Sequence, residues 1–324
     1  MEPAPYPWQT HRWQQLRGVW KQGGLPHALL FGGPGGSGIR EFALAFSTLL
    51  LCAHGAEADQ SCGSCKSCVL AKAGAHPDLH IVASEAPGKA IKVDQIRELV
   101  NITALKSHYG SGKCVILEPA EAMNLNAANS LLKTLEEPAA DTFMFLVCYQ
   151  PSLLAVTLRS RCLVVDMRVS ASTALMWLEQ KVGQQRQLPS LLAVTNKAPL
   201  KALEMAKGNG LKQWTDVFED LEGVMFGQKD PVAVAEQWNK QEANQIFFWL
   251  AKWLQLMIRT KLSDMLPLWM ESDLGQRLAR VAKSRQEVSL FDAYHQAVSA
   301  HKLISGGTNV TAQSLLEEFL VLIS

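Results

Sequence analysis

The sequence predicts an α/β protein: a parallel-sheet domain of the P-loop type over 1–167, a small helical lid over 168–208 and an all-helical domain over 209–324. Three observations carry that prediction. Short apolar runs alternate with helical periodicity as far as Met167, the pattern of a parallel sheet covered on both faces. The run from Ala28 to Phe31 enters a loop, G-G-P-G-G-S-G, that opens directly into a helical pattern. Beyond Arg168 no strand pattern recurs, and the remaining periodicity is helical.

Bulk properties agree with this division. At 324 residues the chain exceeds one ordinary core, so two or three domains are expected. Apolar residues make up 48% and charged ones 19%, a globular composition. The formal charge of +1 leaves little long-range steering, so any contact with nucleic acid has to come from a local patch. The opening M-E-P-A-P-Y-P-W lacks the basic flank and apolar stretch of a signal peptide, and no segment is apolar for long enough to span a bilayer. A cytoplasmic protein with no membrane partner is the expectation. Asn309-Val310-Thr311 fits a glycosylation acceptor, a chance match in that setting.

In chain order, Trp8, Trp13, Leu16 and Trp20 recur at near-helical spacing, predicting an amphipathic helix over 10–22 closed by Gly23-Gly24. A strand over 28–31, the glycine loop and a helix over 41–51 follow. Strands are expected at 79–83, 114–117, 142–148 and 162–167, and helices at 91–104, at 126–137 before Pro138, at 171–182 and at 200–207. The run Ile246, Phe247, Trp249, Leu250, Trp253, Leu254 and Met257 exceeds one helix face, so part of it is expected at a subunit interface.

Two stretches carry chemistry. In the loop, Gly33 and Gly38 have the spacing of a phosphate-binding turn, with Gly35 and Gly36 between them. Lysine and a hydroxyl residue normally follow, to reach the terminal phosphates and to hold Mg²⁺. Here Ile39 has no charge, and Arg40 has only donors and cannot ligate a cation. The loop reads either as a nucleotide cradle that has been disarmed or as a glycine-rich turn that never bound phosphate. Backbone N–H groups would still attract an anion there.

The second stretch is C-x2-C-x2-C at Cys62, Cys65 and Cys68, with Cys52 ten positions upstream. Two residues between cysteines let the backbone turn around a thiolate-bound ion, and four thiolates complete a tetrahedral zinc site. An iron–sulfur run would need a cysteine at position 72, which is Lys72. Structural zinc is the expectation, with His54 or His76 as alternatives to Cys52 and free or redox thiols as the competing reading. Cys114, Cys148 and Cys162 lie in apolar segments and read as buried small hydrophobes.

The chain resembles the clamp-loader branch of the AAA+ family, of the kind found in bacterial DNA polymerase III. The residues that carry the resemblance are H-A-L-L (His27 to Leu30), the cysteine insertion, H-P-D (His76 to Asp78), N-S-L-L-K-T-L-E-E-P (Asn129 to Pro138) and S-R-C (Ser160 to Cys162). The first two thirds of the chain match motif by motif, and the helical last third matches in character. An active member of the family carries Asp-Glu where this chain has Glu118 and Pro119, and threonine where it has Cys148 and Tyr149. Proline has no side-chain acceptor, so no group remains there to orient an attacking water.

The resemblance implies a subunit that does not itself hydrolyse ATP, with any nucleotide at Gly33, Gly35, Gly36 and Gly38 left uncleaved. Arg161 of S-R-C matches the family's arginine finger, which reaches the ATP site of the adjacent subunit. The implied partners are the gamma/tau ATPase subunits and the delta subunit of the loader. Through them come the sliding clamp and primer-template DNA, the helical C-terminal domain forming a shared oligomerisation collar. The implied enzyme is the DNA polymerase III holoenzyme as a whole, a DNA-directed DNA polymerase and nucleotidyltransferase. Two other readings stay open on sequence: an active gamma/tau-type ATPase with an aberrant loop, and a zinc-dependent nucleic-acid-binding module.

Overall fold

The structure is a computed structural model that describes residues 5–85, 89–184, 188–262, 273–305 and 311–324. Residues 1–4 of the opening M-E-P-A-P-Y-P-W and the acceptor Asn309 lie outside those residues. Five parallel strands form one sheet in the order β2-β3-β4-β1-β5: β1 (Ala28–Gly32), β2 (Leu79–Ala83), β3 (Lys113–Glu118), β4 (Thr142–Cys148) and β5 (Leu163–Asp166). Leu30 stands opposite Leu146 on one side and Val164 on the other.

The period-two alternation of side chains divides the sheet between two cores. One face carries Leu29, Phe31, Ile116, Phe145 and Val147, covered by Trp13 of α1 (Thr10–Lys21) and by Phe42 and Phe46 of α2 (Ile39–Leu51). The other carries Leu30, Val115, Leu117, Met144 and Leu146. It is covered by Ile96 and Leu99 of α4 (Val93–Ala104) and by Leu131 and Leu135 of α5 (Leu125–Glu136). The predicted α/β class with a parallel sheet covered on both faces is therefore what forms.

Three helices escaped the sequence reading. One, α3 (Lys66–Lys72), lies inside the cysteine segment, its N-cap Cys65 sulfur accepting the Cys68 N–H. Another, α6 (Val156–Arg159), is a single turn before β5. The third, α8 (Leu188–Val194), carries Pro189 in its first turn, where proline is tolerated but reads as a break.

The described residues group into two compact units, one of 1–177 with 196–201 and one of 178–195 with 202–324. Residues 168–208, with α7 (Ala171–Val182) and α9 (Pro199–Lys207), contribute to both. The second unit is helical: α10 (Gly210–Met225), α11 (Pro231–Asn239), α12 (Ala243–Leu262), α13 (Asp273–Ser284), α14 (Glu287–Ser305) and α15 (Ala312–Ile323). Here the structure corrects one expectation. Every member of the α12 run from Ile246 to Met257 named above is buried within this chain's own core, with Trp253 stacked on Trp214 at 3.6 Å between ring centroids. The run is wide because α12 is packed on several sides, by α10, α13 and α14, and not because it waits for a partner.

Candidate functional site

At the end of β1 the chain turns through the glycine loop into α2. Gly33 N–H donates to the Cys148 carbonyl at 3.1 Å, tying the loop to the end of β4. Gly36 and Gly38 have φ of +88° and +77°, the left-handed region in which a side chain is strained. The space above the loop is also taken. A Cβ added at Gly36 would meet Cγ of Lys201 at 2.5 Å, and one at Gly38 would meet the ring of Tyr6 at 2.5 Å. Beside Gly35 lies the Tyr149 ring, 3.6 Å from where a Cβ would stand.

Hydrogen bonds fasten this cover. Trp8 Nε1 and Gln9 Nε2 donate to the Ser37 carbonyl at 2.9 and 3.0 Å, and Gln9 Nε2 also donates to the Gly38 carbonyl at 2.8 Å. From α9, the Leu200 N–H donates to the Gly36 carbonyl at 3.0 Å. All four predicted glycines sit in the one turn, and residues from the N-terminal segment, the end of β4 and α9 close over it.

Arg40 and Glu118, distant in sequence, meet beside this loop. Arg40 Nη1 lies 2.7 Å from Glu118 Oε2, and the Glu118 side chain is only 7% exposed. The other carboxylate oxygen, Oε1, accepts a short hydrogen bond from the Tyr149 hydroxyl. Burial, reinforced by that carboxylate, pushes the Tyr149 hydroxyl well above its ordinary range, so it donates as a neutral phenol. Glu121 Oε1 accepts the Tyr149 and Gln150 N–H groups at 2.9 and 3.0 Å and fixes the end of β4.

The Glu118 carboxylate already faces a guanidinium, and a divalent cation beside it would have to displace that partner. Tyr6, Glu121 and Lys201 were not singled out from sequence, and Tyr149 was noted only as a departure from the family's threonine. The one signal available was the coincidence of a new cation at 40 with a retained acid at 118.

The cysteines converge as predicted. The Sγ atoms of Cys52, Cys62, Cys65 and Cys68 all lie within 4.8 Å of one another, with Cys52 and Cys65 at 3.9 Å and Cys62 and Cys68 at 3.9 Å. Tetrahedral thiolates about 2.3 Å from a zinc ion stand roughly 3.8 Å apart, so the set fits such an ion. Backbone N–H groups of His54 and Cys62 point at the Cys52 sulfur, and that of Cys65 at Cys62, each at 3.4 Å. Such donors favour thiolate: those from Cys65 and Ser64 bring the Cys62 thiol down to about 5. Burial instead pushes Cys68 up to about 12, a cost that a bound cation offsets. Of the alternative ligands, His76 accepts the Asp78 N–H through Nδ1 at 3.0 Å, and neither it nor His54 joins the cluster. Cys114 and Cys148 are fully buried and Cys162 half-buried, and burial raises all three thiols.

Arg161 lies between α6 and the edge strand β5, on the surface of the first unit. Its Nε donates to Glu136 Oε1 at 2.6 Å, its Nη2 contacts the same oxygen, and its Nη1 donates to the Thr157 carbonyl at 3.0 Å. The side chain is 34% exposed, and its neighbours Val156, Leu163 and Val164 are exposed apolar residues. Glu136 belongs to the N-S-L-L-K-T-L-E-E-P motif of the sequence. In the structure it holds Arg161.

Comparison with known proteins bears on all of these sites. The family described as DNA polymerase III, delta subunit, matches residues 8–171, and its C-terminal counterpart matches 209–324. A DNA polymerase III subunit delta' from Pseudomonas aeruginosa is 38% identical over 262 residues, 80% of this chain and 78% of that protein. The chain belongs to the delta-prime family of DNA polymerase III subunits. Delta' from Yersinia pestis is 32% identical over 98% of this chain and 94% of its own, and delta' from Haemophilus influenzae is 29% identical over 95% and 94%. Family membership bears out the resemblance to the clamp-loader branch and a place in DNA replication as part of the polymerase III holoenzyme. Among the described residues no helix is long and apolar enough to cross a membrane.

Proposed function

We propose that this chain is a non-hydrolysing subunit of the bacterial clamp loader that supplies Arg161 in trans to the ATP site of a neighbouring gamma/tau-type subunit. The observation that carries the reading is the Arg40–Glu118 pair. Where a hydrolysing member holds Mg²⁺ and an attacking water, this chain holds its own cation, and Pro119 replaces the water-orienting acid. Exposure of Arg161 at the sheet edge supports the complementary half. A guanidinium that enters a neighbour's site stabilises charge on the transferring phosphoryl group.

In this reading ATP binding by the partners opens the sliding clamp, and hydrolysis closes it on primer-template DNA. The delta subunit and the gamma/tau subunits are the neighbours, and the helices from α10 onward serve as the collar. The region 168–208 serves as the family's lid. Zinc held by Cys52, Cys62, Cys65 and Cys68 has a structural role, since four protein ligands leave no open position for a reacting group.

Reconstitution tests the reading. The purified chain alone is expected to hydrolyse no ATP, and Arg161→Ala is expected to assemble normally yet lower the DNA-stimulated ATPase of the full complex. Turnover by the isolated chain, abolished by changing the glycine loop, would favour the gamma/tau-type alternative instead.

A further inference from the structure

The grip of Glu136 on Arg161 is more than a surface ion pair. The carboxylate ends α5, and Glu137 follows it, so two acids stand at the pole of the helix where the backbone is already negative. This arrangement is locally unfavourable. Sequences break such local rules chiefly where a function needs the residue. What the two acids provide is a site for a cation, and Arg161 fills it through two nitrogens on one Glu136 oxygen.

The contact is specific in its geometry. Glu136 takes the Nε and Nη2 side of the guanidinium, and the Thr157 carbonyl takes Nη1. Two of the five N–H donors of an arginine are thereby hydrogen-bonded and Nη2 is held in the ion pair, so the fork keeps donors for another acceptor. An arginine that must meet a phosphoryl group across an interface otherwise loses its rotamer freedom during that step. Held at Nε, Nη1 and Nη2 beforehand, the planar fork is already ordered on the rim.

We infer that Glu136 is a positioning residue for Arg161: it aims the guanidinium of this chain toward the neighbouring ATP site and does not itself touch nucleotide. The inference rests on the trans role proposed above. It adds that the helix carrying L-L-K-T-L-E-E-P and the segment carrying S-R-C work as one device, joined by Glu136.

The test uses fully reconstituted complexes containing wild-type chain, Glu136→Gln, Glu136→Asp, Arg161→Ala or the double variant Glu136→Gln/Arg161→Ala. Both side chains are exposed, so folding is expected to be unchanged, and thermal melting checks this. Glu136→Gln is expected to lower kcat of DNA-stimulated ATP hydrolysis severalfold while KM for ATP and assembly stay constant. Glu136→Asp should recover part of the rate, and the double variant should match Arg161→Ala. If Arg161→Ala lowers the rate but Glu136→Gln leaves it unchanged, raises it, or adds to the Arg161→Ala loss, the positioning role is wrong while the finger stands. If Arg161→Ala itself has no effect, the finger reading fails first and this inference with it.

Discussion

Arg40 changes the chemistry of the glycine turn that precedes it. A guanidinium reaches Glu118 from the first turn of α2, and Tyr149 supplies a second donor to the same carboxylate. Replacing Arg40 with Met leaves a carboxylate that is 7% exposed facing only the phenol. That loss is expected to cost about 2–3 kcal/mol, measured by chemical denaturation. The thiols offer a second check at this scale. With the metal removed, the four cluster cysteines are expected to be alkylated readily, while buried Cys114 and Cys148, whose thiols burial pushes up, stay unlabelled at neutral pH. Mass spectrometry of labelled peptides distinguishes them. The cysteine set was legible in the sequence because metal ligation demands tight spacing. The Arg40–Glu118 and Arg161–Glu136 pairs were not, because each joins residues on separate elements, 78 and 25 positions apart.

Element by element, the strands were easier to place than the short helices. β4 forms over the span its apolar run predicts, since a strand buried on both faces leaves few polar positions to blur its ends; β2, an edge strand, also forms over its expected span although none of its residues is fully buried. α5 begins one residue earlier than expected, at Leu125, because Asn124 caps it by accepting the Ala127 N–H at 2.8 Å. Asn124→Ala is expected to cost about 1 kcal/mol in thermal or chemical melting. α3 was hidden for a different reason: seven residues around Cys68 carry too little periodicity to read, and the cluster beside them organises the turn. Chelating the metal is therefore expected to open the segment between Cys52 and His76 to protease while the sheet keeps its circular dichroism.

At the scale of the whole molecule, the described residues form two units whose boundary passes through the segment read as a lid. Val194 of α8 is buried in the helical core of the second unit, with Ala193 packed against it. A fragment of 178–324 is thus expected to be more stable than one of 209–324, by about 2 kcal/mol from those side chains alone, as calorimetry of the two fragments would show. The α12 run is resolved only at this scale, since hydrophobicity reports that a face is covered and says nothing of what covers it. By itself the sequence determined the parallel sheet, the metal-type cysteine set, a glycine loop followed by neither lysine nor a hydroxyl residue, and the family, all of which depend on local spacing and residue chemistry. Only the tertiary structure decided that Arg40 neutralises Glu118, that Tyr6 and Lys201 cover the glycines, and that Glu136 holds Arg161. Each of those contacts arises where packing brings distant parts of the chain within hydrogen-bonding or van der Waals range, and no pattern along the chain encodes that distance.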